Sequence, residues 1–94
     1  MNNKNIKNIF ECKSLTLEEK SVFLYLSSIS LDNNTVEVSY KVISEAIGKS
    51  KVSVIRYVKG LVDKGLIEVE KNVGIDGGLA ANLYILKIDN IKGV

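Results

Sequence analysis

Three residues, Gly48-Lys49-Ser50, separate two stretches of helical periodicity, and that short gap constrains the fold more than any other feature. Upstream, Ser39 suits an N-cap, and Ile43, Ala46 and Ile47 fall on one helix face. Gly48 ends that helix, because glycine alone takes the left-handed C-cap conformation without steric penalty. Downstream, Ser50 caps a helix running to Lys64, with Gly65 as its C-cap and Val54, Val58, Leu61 and Val62 as its inner stripe. So short a connection forces the second helix to cross the first.

The flanking segments add one more helix and a sheet. Thr16-Leu17-Glu18-Glu19 is a capping box, and the helix it opens runs to about Ser30. Leu17, Val22, Phe23, Leu24, Tyr25, Leu26 and Ile29 make it apolar over most of its circumference. Such a helix is buried between neighbours or shared with a second copy. Asp32-Asn33-Asn34 is a turn cluster, and Thr35-Val36-Glu37-Val38 alternates as a short strand. After Gly65 the period changes to two: Ile67, Val69 and Lys71 alternate with an outward Glu68 and Glu70. Gly74, Asp76, Gly77 and Gly78 form a loose tip, and Asn82 to Lys87 returns to close a hairpin. The expected division is an N-terminal arm or short helix over 1–14, a domain over 15–88 and a tail over 89–94. Ile6, Ile9 and Phe10 give the arm an apolar face for the core or a second subunit; Ile88, Ile91 and Val94 are placed to dock the tail.

Composition removes whole classes of function. The 94 residues fit one domain, and 46% apolar content is that of an ordinary globular chain. There is no histidine and one cysteine, Cys12, so no zinc ligand set and no internal disulfide can be assembled. The beginning of the chain lacks the apolar core of a signal peptide, and the longest apolar run, Val22 to Leu26, cannot cross a bilayer. A cytoplasmic protein without cofactor, metal, membrane partner or catalytic activity is expected. Gly48-Lys49-Ser50 resembles the end of a phosphate-binding loop, but the glycine required five positions earlier is Ile43.

The net charge of +2 conceals an uneven distribution. Residues 39–66 hold Lys41, Lys49, Lys51, Arg56, Lys59 and Lys64 against only Glu45 and Asp63, a net +4, and the remainder is −2. A basic segment of this kind is the place to look for an anionic partner.

The order helix, short strand, helix, tight turn, helix, hairpin is that of a winged helix. Ser39-Tyr40-Lys41-Val42-Ile43-Ser44-Glu45-Ala46-Ile47-Gly48-Lys49-Ser50 resembles the helix-turn-helix core of bacterial winged-helix DNA-binding domains. The resemblance continues through Val54, Leu61, Lys64-Gly65-Leu66-Ile67 and Asn82-Leu83-Tyr84, and covers roughly residues 16–87. It is similar to modules of plasmid and phage replication proteins and of small transcription regulators. Two positions depart from the pattern: Lys49 stands where an apolar residue is common, and Ser44 where alanine is usual. The resemblance implies an α+β fold, with a three-helix core, a short strand before the second helix and a C-terminal β-hairpin wing. It also implies double-stranded DNA as partner, read by the third helix in the major groove.

Off the inner stripe of that helix lie Lys51, Val52, Ser53, Ile55, Arg56 and Lys59. Arg56 is the sole arginine, suited to the bidentate edge of guanine or, equally, to a phosphate. Lys49, Ser50 and Lys51 surround a helix N-terminus that favours phosphate, although Ser50 serves as N-cap in any case. Ser53 reads as a base-edge donor or a first-turn residue, and Tyr40 as a phosphate contact or a core ring. Lys71, Asn72 and the backbone amides of the glycine-rich tip are the expected wing contacts, since Glu68 and Glu70 repel DNA. The functional expectation is a homodimeric, sequence-specific DNA binder acting in plasmid or phage replication, segregation or conjugative transfer, or as a transcription regulator. Richness in asparagine, isoleucine and lysine, the mark of AT-rich coding DNA, fits the mobile-element setting. The alternative is a winged-helix protein–protein adaptor within a larger replication or segregation complex.

Overall fold

Thr16 and Glu19 close the anticipated capping box: Thr16 Oγ1 accepts from the Glu19 amide at 3.1 Å, and Glu19 Oε1 accepts from the Thr16 amide at 3.0 Å. The helix they start, α2, spans Leu17–Ile29. The computed structural model describes residues 3–93, with side chains from 6 to 90. Before α2 lies α1, Asn3–Glu11; after it come β1, Thr35–Val38, α3, Tyr40–Ile47, and α4, Lys51–Asp63. The hairpin strands β2, Ile67–Asp76, and β3, Leu79–Leu86, follow, and a 3-10 helix, η1, closes the described chain at Ile88–Gly93. This is an α+β winged helix-turn-helix, with an antiparallel sheet ordered β1-β3-β2 beside the helices.

One core joins every layer. Ile9 of α1, Val22, Phe23 and Leu26 of α2, Ile43 of α3, Val54 and Leu61 of α4, and Ile67 and Tyr84 of the sheet are all buried in it. The amphipathic face of the N-terminal segment therefore meets the core through Ile9, while Phe10 stays exposed. The widely apolar α2 spends Val22, Phe23 and Leu26 on its own chain and leaves Leu17 and Ile29 exposed. Asn90 of η1 donates to the Gly65 carbonyl at 2.7 Å, tying the last turn to the end of α4. The expected docking of Ile91 and Val94 lies outside the described side chains.

Three local expectations need correction. Val62 is 40% exposed, because it turns into the cleft between α4 and the hairpin rather than toward α2. Ala46 is exposed, and the buried small residue of α3 is Ser44, whose hydroxyl is satisfied by the Lys41 carbonyl at 2.7 Å. Lys64 is the C-cap of α4, with Gly65 following it at φ 75°.

The hairpin differs most. No loose glycine tip exists: β2 continues to Asp76, β3 begins at Leu79, and Gly77-Gly78 alone make the turn. Gly74 lies in the strand, paired with Ala81. The irregularity sits instead midway, where Lys71, Asn72 and Val73 oppose the single residue Asn82 between the Glu70–Leu83 and Gly74–Ala81 pairs. Such a bulge bends the strand and increases its twist.

Candidate nucleic-acid interface

The turn that starts the site is built as its sequence demands. Gly48 takes φ 73°, and its amide and that of Lys49 both donate to the Ser44 carbonyl at 3.0 Å. Ser50 then caps α4, its hydroxyl accepting from the Ser53 amide at 3.1 Å. The Ser50 and Ser53 hydroxyls also bond to each other at 2.9 Å. Lys49 is exposed beside this cap.

Two adjoining clefts run between α4 and the hairpin. The first, about 480 Å³, is lined by Tyr40, Ile55, Val58, Lys59, Val62, Asp63, Val69 and Lys71. The second, about 320 Å³, is lined by Ser39, Tyr40, Lys41, Lys51, Ile55, Asn72, Leu79, Ala80 and Asn82. The fold thus brings Tyr40, Lys51, Lys59, Lys71 and Asn72 around one depression, with Tyr40 and Ile55 common to both halves. Lys49, Ser50, Ser53 and Arg56 line neither cleft. Arg56 is exposed on α4, its guanidinium carbon 6.0 Å from the centroid of the half-buried Tyr57 ring, the outer range of a cation–π contact.

Lys71 and Asn72 are not tip residues, contrary to expectation; the bulge places them against the helices. Asn72 adopts φ 60°, and its amide donates to Asn82 Oδ1 at 3.1 Å. Asn82 Nδ2 in turn donates to Tyr84 Oη at 3.2 Å. Asn82 and Tyr84 are both buried, so neither polar group is left for water to satisfy. Burial pushes the Tyr84 hydroxyl up to about 12, against the Asn82 hydrogen bond that lowers it and with neighbouring Tyr40 adding to the rise. A second tie runs from the wing to α3: Asp76 Oδ2 accepts from the Ser39 amide at 3.3 Å.

Asn82, Lys41 and Ile55 are site residues that the sequence reading did not select. Asn82 had a visible signal: it shares a strand face with the core residues Tyr84 and Leu86, where an amide needs a partner. Lys41 had its place in the basic segment and Ile55 its place off the inner stripe, but that both line the cleft depends on where the hairpin folds back.

The family model of the helix-turn-helix domain matches residues 13–67. The chain belongs to that family. The match starts just before α2 and stops at the first residue of β2, so it takes in the helix-turn-helix and leaves out the wing. A solved structure described as a possible transcriptional regulator from Methanosarcina mazei Go1 shares the fold with a TM-score of 0.61. It is 18% identical, and the alignment covers 94% of this chain and 77% of that one. No curated protein sequence matches. The resemblance to winged helix-turn-helix DNA-binding domains therefore stands on family and fold together. Among the described residues of this helix-turn-helix protein no cluster of side chains suits a metal ion, and no helix is long and apolar enough to cross a membrane.

Proposed function

We propose that this chain is a sequence-specific double-stranded DNA-binding protein in which α4 enters the major groove and the bulged hairpin rests on the flanking backbone. One observation carries the reading. The salt bridges among the described residues use Lys64 with Glu19 and Lys87 with Glu68, so Lys51, Arg56 and Lys59 keep their charges on the open face of α4. Arg56 is assigned to a base edge, Lys51 and Lys59 to phosphates, and Lys49 and Ser50 to a phosphate at the helix N-terminus. Tyr40, Ser53, Lys71 and Asn72 complete the contact set from either side.

The active form is a homodimer, binding two half-sites about one helical turn, ~34 Å, apart. Leu17 and Ile29 on α2, with Leu31 beyond it, are exposed apolar side chains available to such an interface. The process served is regulation of transcription, or replication, segregation or transfer of a mobile element. The role has no catalytic step, is exercised in the cytoplasm, and belongs to a domain over 15–88.

Fluorescence anisotropy with duplexes from the protein's own locus tests this. Affinity should fall with salt at a log–log slope of about −0.9 per phosphate neutralised. Arg56→Ala should cost roughly 1–3 kcal/mol on the preferred site and little on random duplex, whereas Lys51→Ala should weaken both alike and flatten the slope. Two protomers per site are expected by sedimentation. No binding to any duplex at low salt would remove the reading.

A further inference from the structure

Val52 is 76% exposed in the first turn of α4 and lines neither cleft. It heads the outward stripe Val52, Ile55, Arg56, Lys59, spaced i, i+3, i+4, i+7. Ile55, on the same stripe, turns toward the hairpin and lines both clefts. Val52 is left as the most exposed apolar side chain of α4, next to Lys51 and one turn from Arg56. Neither packing nor helix propensity accounts for it, since alanine suits an exposed helix position better.

We infer that Val52 determines specificity by contacting the C5-methyl group of a thymine in the major groove. The inference rests on the DNA-binding reading above. In that groove the thymine methyl is the one apolar feature that a base pair presents, and an aliphatic side chain is its complement. The placement also bounds where that thymine lies. Residues four apart are about 6 Å apart along the helix axis, and base pairs stack about 3.4 Å apart. The thymine read by Val52 therefore lies within about two base pairs of the base read by Arg56.

The test begins with selection of preferred sites from a random duplex pool. Each thymine of the selected site is then replaced singly by deoxyuridine, which keeps the pairing and removes only the methyl group. For the wild-type protein one replacement, close to the arginine-read base, should weaken binding about fourfold, the worth of one buried methyl-sized group. Val52→Ala, with its shorter side chain, should narrow the preference for thymine over uracil at that position, while Arg56→Ala should keep it. Because Val52 is exposed and alanine is the better helix former, its variant should melt no lower than the wild type; the wild-type uracil scan stands without it. Equal sensitivity of wild type and Val52→Ala, or no sensitive thymine in the wild-type scan, overturns the inference and leaves DNA binding intact. A pool that yields no enriched site overturns the sequence-specific reading itself.

Discussion

Tyr84 and Asn82 show how much a single residue can carry at the wing. Tyr84 is the largest fully buried side chain, and its hydroxyl is spent on Asn82 rather than on water. Its native pKa of about 12 lies above the unfolded value of 10.0, so the native state holds the proton longer. The stability this gives is complete below the unfolded pKa and is lost as pH rises through the native one. The amount is on the order of 2–3 kcal/mol. Urea unfolding from about pH 9 to about pH 12 should show a steeper loss for wild type than for Tyr84→Phe. Parallel curves would contradict the assignment. Residue identities of this kind were half legible in the sequence. The core positions at Val54, Val58 and Leu61 follow from periodicity alone, and all are buried. Val62 and Ala46 defeated the same periodicity because a stripe shows which side of a helix is apolar, not how wide the neighbour covering it is.

At the level of elements, the caps were readable and the close approaches were not. Thr16, Ser39, Ser50 and Gly48 act as their local chemistry requires, through bonds spanning three or four residues. Gly60 lies inside α4, where glycine costs about 1 kcal/mol relative to alanine. Its reason appears only in three dimensions: a Cβ there would run into Glu19 Oε2 of α2. That carboxylate is buried, and its other oxygen, Oε1, is held by the Thr16 amide and by Lys64 Nζ at 2.5 Å, so swinging Oε2 aside strains both bonds. Gly60→Ala should therefore destabilise the fold by ~1–2 kcal/mol, where an open helix site would gain stability. A variant melting above wild type would show that Glu19 gives way freely. The hairpin bulge was hidden for a related reason: it is fixed by Asn82, ten residues away from the amide it accepts.

Over the whole molecule, the first helix and the last turn close on a core shared by all layers, and this sets how the chain unfolds. Ile9 is fully buried with Cys12 and Leu15 in the same cluster as the sheet residues. Ile9→Ala should cost ~2–5 kcal/mol. It should lower the single melting transition seen by helix and sheet signals alike; early loss of α1 alone would mark it as an independent arm. The connection between Ser39 and Asp76 has a different kind of consequence. It fastens the far end of the hairpin to the amide of Ser39, the N-cap of α3, so wing and helices meet a surface as one preset clamp. A clamp already set has little ordering entropy left to lose on contact. Its association rate should then follow collision frequency and the pull of its lysines, falling with salt and showing no slow closing phase in stopped-flow traces.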